Sequence, residues 1–420
     1  GTDPFEIDPF PEIHSQAKIT VTDLLGNGVA CIVWSSNLAK DSNAPLKYID
    51  LMNSKKPHIM VSYKNNMGKE VSLTYTPSTK FYIGDKKTGK PWVTKLHFPV
   101  HCISKTTTED KISGHKFVSQ YKYHHGYYDH PEREFRGFGM VEQIDAETFE
   151  HWTKSGASNI TDVALHQEPV VSKSWHHTGA FLQNDKILNQ FEKDYWYVEM
   201  ERQGFTSILH HEVPLPDARL VTAPGIDPAL LNNLSGQEWQ EALRACKGMA
   251  LRSEIFALDA IKFGSTDEAR KKELTPFSVA THNCMIELLQ PKGKNKHAVF
   301  VVKESEAITY SYERNVEDPR VAHSLNIKLD EYGNVLESAS VVYPRLVADA
   351  SLPTETQQEQ SKTIILYSQN QFTNDVFGDD IHRLRLPSEI KTYELKGVLK
   401  TNPYYKPIDF TDILSDAITD

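Results

Sequence analysis

Residues 121–143 read YKYHHGYYDHPEREFRGFGMVEQ, and six of these 23 residues are aromatic. Aromatic residues favour strands, whereas Asp, Pro and Gly interrupt them, so Asp129–Pro131 predicts a turn between two strands. The run from Glu132 to Arg136 alternates in charge, which predicts ion pairs on a polar face of a sheet. The stretch therefore indicates a β-hairpin that carries a polar belt.

Alternation of apolar and polar residues extends this β pattern along much of the chain. Residues 17–35 predict two strands joined by a Gly-Asn-Gly turn, and residues 59–75 predict a hairpin. Residues 75–82 (YTPSTKFY) and 90–100 (KPWVTKLHFPV) continue the pattern, with prolines at strand starts or edges. The same alternation predicts strands in residues 277–343 and 363–400.

One helix and two polar connections interrupt the predicted strands. Ser235 and Glu238 have the spacing of a capping box, and Gly248 is a typical helix stop, so a helix is predicted between them. The proline-spaced residues 211–227 predict a linker or extended arm, and the polar residues 354–362 predict a loop.

Length and charge limit the classes of protein that fit. A chain of 420 residues suggests two or three domains. Its net charge of −10 argues against nucleic acid as a partner, because phosphate binding requires a basic face. There is no apolar run of membrane-spanning length and no signal-peptide pattern, so direct membrane insertion is not expected. Both ends look cut from a longer protein, and we expect a fragment.

The cysteines give no sign of a metal or redox motif. Cys31, Cys102, Cys246 and Cys284 lie far apart and show no CxxC spacing. We expect each to be a small buried hydrophobic side chain rather than a disulfide partner.

The weak candidates for a metal site are Asp23 and Asn27, as calcium ligands. The segment 23–28, DLLGNG, is similar to the calcium loops of FG-GAP propeller blades, but Leu25, Asn27 and Cys31 replace expected acids. Calcium needs six to eight oxygen ligands, so this segment more plausibly turns the chain, and no metal or cofactor is expected.

Pairs of histidines and pairs of carboxylates are the candidate catalytic groups. His124–His125, His176–His177 and His210–His211 are adjacent pairs, and neighbours on a strand point to opposite faces, so no pair chelates one metal simply. Glu132 and Glu134 lie beside Arg133 and Arg136, which predicts structural ion pairs rather than a glycosidase pair. With no nucleophile elbow and no phosphate-binding loop, catalysis is not expected.

The tryptophans admit a second interpretation. In part they could form a sugar-stacking platform, although core packing fits a β protein better. The six are Trp34, Trp92, Trp152, Trp175, Trp196 and Trp239.

The run from Tyr123 to Gln143 closely resembles the middle region of the B component of bacterial insecticidal toxin complexes, the Tc toxins, of the TcdB and TcaC type. SpvB-type virulence proteins share part of this region. Further matching blocks are YTPSTKFY, KPWVTKLHFPV and SGQEWQEALRACKGMALRSEIFALD. Residues 330–336, DEYGNVL, are similar to one tyrosine–aspartate (YD, or Rhs) repeat. The resemblance implies a secreted, mainly β protein that builds a hollow shell with a C component.

The resemblance also implies an architecture and partners. We expect a long curved antiparallel sheet as part of the shell wall, a propeller-blade remnant at the N-terminus and a few short helices. The expected divisions are residues 1–40 (propeller end and junction), 41–215 and 216–350 (two shell segments), and 351–420 (further shell). Expected partners are the C component, an enclosed toxin polypeptide and, through an upstream propeller, the pore-forming A component. The alternative is a secreted or surface carbohydrate-binding or adhesin module.

Overall fold

The computed structural model describes residues 11–145, 168–205, 210–260, 264–400 and 402–411. The chain divides into two compact units, residues 1–126 and 127–420, and the division falls within one long strand. Within the described ranges, no helix is long and apolar enough to cross a membrane.

The first unit consists of two antiparallel arrangements of strands and one helix. The bounds are Ala17–Thr22 (β1), Cys31–Ser36 (β2), Leu46–Asp50 (β3), Ser62–Lys64 (β4), Lys69–Pro77 (β5), Ser78–Lys87 (α1), His101–Asp110 (β6) and Lys116–Asp129 (β7). Strands β1, β2 and β3 pair in that order, and β4, β5, β6 and β7 pair in theirs. The predicted strands of residues 17–35 and the predicted hairpin of residues 59–75 are confirmed.

The β4–β5 turn shows why this hairpin forms locally. Oδ1 of Asn65 accepts hydrogen bonds from the backbone N–H groups of Met67 and Lys69, both at 2.9 Å. Gly68 has a φ of +97°, which favours glycine at this position. The side chain of Asn65 therefore closes the turn that the alternating strands require.

The second unit is built on a sheet in which successive strands are almost all antiparallel. The strands are Glu134–Asp145 (β8), Val170–His176 (β9), Ala218–Thr222 (β10), Ala250–Ala257 (β11), Ser278–Gln290 (β12), Val299–Ser311 (β13), Arg320–Leu329 (β14), Val335–Val342 (β15), Ile364–Phe372 (β16), Val376–Phe377 (β17), His382–Arg383 (β18) and Pro387–Leu395 (β19). The sheet runs β8–β9–β11–β12–β13–β14–β15–β16–β19, and β10 pairs in parallel with β12, whereas β17 and β18 form a separate two-stranded sheet. The strands predicted in residues 277–343 and 363–400 are confirmed.

Five helices connect or cover these strands. They are Asn184–Glu192 (α2), Trp196–Arg202 (α3), Gly236–Ala245 (α4), Asp267–Leu274 (α5) and Thr354–Gln360 (α6), counted over the described residues. The predicted capping box of α4 is confirmed, because Ser235 Oγ accepts the N–H of Glu238 and the Glu238 carboxylate accepts the N–H of Ser235.

The core of the second unit follows the two-residue period of a strand. Alternate side chains of four neighbouring strands are buried in one cluster, and Trp196 and Met200 of α3 belong to the same cluster. The strand residues are Ile308 and Tyr310 of β13, Val321 and Leu325 of β14, Ala339 and Val341 of β15, and Ile365 and Tyr367 of β16; Tyr312, directly after β13, joins them. The apolar stripe of each strand therefore covers one face of the sheet.

Two predicted segments differ in structure. Residues 78–82 begin helix α1 instead of extending a strand, because Pro77 ends β5 and the buried Ser78 exchanges two hydrogen bonds with Val100. The expected strand over residues 90–100 is also wrong, since these residues form no regular element.

Two predicted connections are partly regular. The expected loop 354–362 contains helix α6, whose Gln and Glu residues are good helix formers. The expected linker or arm 211–227 includes strand β10.

Candidate functional site

Arg136 on β8 organises the polar belt that the sequence predicts. Its side chain is buried, with Nη2 3.1 Å from Asp129 Oδ2 and Nε 3.3 Å from Glu134 Oε2, and it donates to the carbonyl of Gly179. The predicted ion pair of Glu134 with Arg136 is confirmed. Lys247 Nζ also lies 2.8 Å from Glu134, and this hydrogen bond holds the pKa of Glu134 below its usual value.

Arg133 does not take the predicted role. It has a φ of +53° in the turn between β7 and β8, and the partner of Glu132 is instead Arg244, at 3.3 Å. The belt is therefore neutralised from the C-terminal end of α4. A glycosidase acid needs a raised pKa, and the lowered pKa of Glu134 disfavours that role.

One member of each histidine pair contacts a neighbouring side chain in the fold. His124 Nδ1 lies 2.6 Å from Asp85 Oδ2, and the ring of His210 stacks on that of Tyr197 at 4.1 Å between centroids. His177 uses both nitrogens, Nε2 toward Asp217 at 3.3 Å and Nδ1 as the acceptor of the Gly179 N–H at 3.0 Å. Among the residues with described positions, no group of three or more His, Cys, Asp or Glu side chains could hold a metal.

The weak calcium candidates, Asp23 and Asn27, lie in one turn. The carboxylate of Asp23 accepts the N–H groups of Asn27 at 3.0 Å and of Gly28 at 2.7 Å. Oδ1 of Asn27 accepts the N–H of Val29 at 3.0 Å. Both carboxylate oxygens of Asp23 are therefore used to close the turn, which favours the structural interpretation of this loop.

The second unit contains a buried charge network that sequence reasoning missed. Arg252 Nη1 lies 2.6 Å from Glu212 Oε2, and Arg252 Nε lies 2.8 Å from Glu254 Oε1. Glu212 also accepts hydrogen bonds from Trp196 Nε1 at 2.7 Å and Tyr312 OH at 3.0 Å. Arg252 and Glu254, two positions apart on β11, are a sequence signal for an ion pair. Glu212 lies forty positions before Arg252, and no sequence pattern connects it to them.

This network borders a cavity of about 480 Å³ that Tyr195, Tyr197 and His210 also line. Burial raises the pKa of Tyr195 to about 12, so its hydroxyl is protonated at neutral pH. Because Glu212 and Arg252 already pair with each other, the cavity presents compensated charges rather than a free acid or base.

A second cavity, of about 390 Å³, contains a histidine–carboxylate pair. His323 Nε2 lies 3.0 Å from Glu306 Oε2, and His323 Nδ1 lies 3.1 Å from Tyr343 OH. Ser305 lines the same cavity, but both nitrogens of His323 already have partners. The arrangement therefore lacks the free imidazole nitrogen that a Ser–His–Glu hydrolase needs.

The five tryptophans with described positions do not form a sugar-binding platform. Four of them are at most 7% exposed and belong to the core, as expected: Trp34, Trp92, Trp175 and Trp196. Trp239 is 37% exposed, and Trp152 lies outside the described residues. A stacking surface needs several exposed rings on one face, so these positions favour core packing over carbohydrate binding.

An antiparallel sheet with one apolar face covered, and charged side chains paired among themselves, defines a scaffold-type β protein. The comparisons with known proteins agree with that class. The description "Insecticide toxin TcdB middle/N-terminal region" matches residues 10–169, and "Insecticide toxin TcdB middle/C-terminal region" matches residues 241–385. The chain belongs to this family, the middle region of the TcdB-type B component of insecticidal Tc toxins.

Solved structures support the same family. The chain is similar to one in the crystal structure of TcdB2–TccC3–Cdc42, at 26% identity and a TM-score of 0.68, over 92% of this chain and 17% of that one. For TcdB2–TccC3 the identity is 25% and the TM-score is 0.67, over 93% of this chain and 18% of that one. For the Photorhabdus luminescens Tc holotoxin pore the identity is 25% and the TM-score is 0.65, over 92% of this chain and 17% of that one. A comparison with curated protein sequences gives no match. The chain thus spans less than a fifth of each solved chain that it resembles.

Proposed function

We propose that this chain is a structural part of the B component of a bacterial insecticidal Tc toxin. With a C component it forms the hollow shell that encloses a cytotoxic enzyme and helps to deliver it. The observation that carries this proposal is the match of 92% of the chain to the TcdB2–TccC3–Cdc42 structure, together with two family regions in the expected order. The chain contributes wall surface and no catalysis of its own.

The far end of the second unit's sheet supports a wall that continues. Strand β19 pairs with β16 on one side and has no second partner among the described strands. Ile390 on this strand is 68% exposed. An unpaired apolar edge is an aggregation hazard, so natural sheets cover such edges. In the assembled toxin, a further strand of the shell covers β19.

The proposed organisation keeps the expected divisions. Residues 1–40 form the junction with a propeller, residues 41–215 and 216–350 form two wall segments, and residues 351–420 continue the wall. The partners are the C component, the enclosed toxin polypeptide and, through the propeller, the pore-forming A component. The protein is secreted, and neither nucleic acid nor a metal or cofactor takes part.

Imaging of the full-length protein with its C component tests this function. We expect a hollow particle in negative-stain electron microscopy, and a C-component segment that resists added protease until the particle is denatured. Failure of the two proteins to copurify, or a solid particle, would contradict the proposal. Turnover of a glycoside, ester or NAD by the purified chain would contradict its lack of catalysis.

The role of β19 is tested with a matched pair of variants of the full-length protein. Ile390→Lys places a charge on the strand edge, and we expect less copurification with the C component. Ile381→Lys is the control, because Ile381 is similarly exposed, at 62%, but lies between β17 and β18. Equal copurification of both variants would show that the β19 edge is not covered in the assembly.

A further inference from the structure

Cys246 and Cys284 lie together in the core, although 38 positions separate them in the sequence. Cys246 follows helix α4, and Cys284 lies on strand β12, where the pairing with β13 shifts register. Their Sγ atoms are 3.7 Å apart, and the two residues are 0% and 2% exposed. Both thiols are free, as are those of Cys31 and Cys102.

The surroundings bring these two thiols into one apolar cluster. Ala242 of α4 and Ile286 of β12 are buried beside them. A disulfide has a sulfur–sulfur bond of about 2.05 Å, so the sulfurs must approach by roughly 1.6 Å, a movement that side-chain rotation can supply. No other cysteine is paired with either thiol within the described ranges.

We infer that Cys246 and Cys284 are a reversible redox pair, which a peroxide converts into a disulfide that ties helix α4 to strand β12. The inference is independent of the shell function proposed above. All four cysteines are buried and free, as the sequence predicts, and the inference adds an oxidised state for one pair of them.

The two thiols share one hydrogen bond, in which either sulfur can be the donor. Because the thiolate is the nucleophile, either cysteine can attack the oxidant first and the other then resolves the product. Cys102 has no such neighbour in this contact, since its Sγ donates to the carbonyl of Val100, and burial raises its pKa to about 12.

The reaction balances with hydrogen peroxide as the oxidant. The thiolate of one cysteine attacks one oxygen, the O–O bond breaks, and a sulfenic acid forms as hydroxide leaves and takes up a proton to become water. The sulfur of the other cysteine then attacks the sulfenic sulfur, the S–O bond breaks, and a second water leaves with the thiol proton. The two thiols lose two electrons in total, and the peroxide gains them. A dithiol reductant reverses the step by thiol–disulfide exchange.

Oxidation of the folded chain, followed by denaturation and thiol counting, tests the inference. The chain has four cysteines, so four thiols react after denaturation of the reduced protein, and we expect two after treatment with hydrogen peroxide. We expect the intact mass to fall by two hydrogen atoms and peptide mapping to link Cys246 with Cys284. The oxidised protein should also unfold at a higher temperature, because the crosslink lowers the conformational entropy of the unfolded chain.

Matched variants separate this pair from the other cysteines. Cys246→Ala and Cys284→Ala should each abolish the crosslink, whereas the double variant Cys31→Ala, Cys102→Ala should retain it. The mass and peptide map of the unsubstituted chain decide the question if a core variant does not fold. Retention of four thiols, a link through Cys31 or Cys102, a crosslink between two chains, or oxygen addition at Cys246 or Cys284 without a link would overturn the inference.

Discussion

The guanidinium of Arg252 lies 2.6 Å from the carboxylate of Glu212, and both side chains are buried. This pair joins strand β11 to the segment that precedes β10, and both residues line the cavity of about 480 Å³. Because Glu254 also pairs with Arg252, one cation compensates two buried carboxylates. The arrangement makes the second unit sensitive to the loss of a single positive charge.

Arg252→Met should destabilise the second unit by about 3–5 kcal/mol, because it leaves two buried carboxylates without their cation. Urea unfolding monitored by tryptophan fluorescence measures the change, since Trp175 and Trp196 lie in this unit. Arg320→Met is the control, because Arg320 pairs with Glu313 at the surface and its side chain is 57% exposed. The network would have no special role if both variants unfolded at the same urea concentration.

Glu306→Gln should lower stability at neutral pH and lose this effect in acid. Burial opposes ionisation of Glu306, but hydrogen bonds from His323 and Asn283 outweigh it and lower its pKa below the ordinary value of 4.5. A carboxyl with a lower pKa in the folded state stabilises the protein above its unfolded pKa, and the effect is lost as pH falls through the folded pKa. The difference in unfolding free energy between wild type and variant should therefore shrink below pH 4.5.

The Glu254→Gln variant is the control, because its stability relative to wild type should change with pH in the opposite direction. Burial raises the pKa of Glu254, so its ionised form destabilises the folded state and this cost grows as pH rises above 4.5. The stability of the Glu254→Gln variant relative to wild type should thus increase with pH through this range. Parallel pH profiles for the two variants would contradict the opposite directions of the two shifts.

Ile308→Ala should destabilise the second unit by about 2–5 kcal/mol, because Ile308 is fully buried in the core cluster and truncation leaves a cavity. Ile390→Ala, at a site 68% exposed, should change stability by less than about 0.5 kcal/mol in the isolated chain. Thermal and urea unfolding of both variants check the difference. A small effect at Ile308 would mean that the β13 stripe is not packed as described.

Local signals explain what the sequence could predict. The hairpin turn at Asn65, the capping box at Ser235 and the alternation on β13 depend on residues within a few positions of one another. Period and turn chemistry express such contacts directly. The resemblance to Tc toxin B components placed these elements in a shell wall, which alternation alone does not indicate.

Distant contacts explain what the sequence could not predict. Helix α1 begins at Ser78 because of hydrogen bonds to Val100, and Glu212 meets Tyr312 across a hundred positions. The two thiols of the redox pair likewise come from different elements. No periodicity in the sequence indicates contacts between such distant residues. The cavities and the buried charge network are therefore visible only in the three-dimensional structure.

Asp330→Ala should disrupt the turn between β14 and β15, in the segment that is similar to a YD repeat. The carboxylate accepts the N–H groups of Tyr332 at 2.9 Å and Asn334 at 2.8 Å, and it lies 3.0 Å from Arg385 Nη1. Loss of these partners should cost about 1–3 kcal/mol and speed hydrogen exchange at the amides of Tyr332 and Asn334.

The matched control for this turn is Asp349→Ala. Its exposed carboxylate accepts only local hydrogen bonds from the N–H and hydroxyl of Ser351, among the bonds that the structure describes. We expect exchange in the β14–β15 turn and overall stability to stay near wild type in this variant. If Asp330→Ala left exchange at Tyr332 and Asn334 unchanged, backbone pairing of β14 with β15 would be sufficient to hold the turn. The carboxylate of Asp330 would then serve mainly to position Arg385, and Arg385→Met would reproduce any remaining loss of stability.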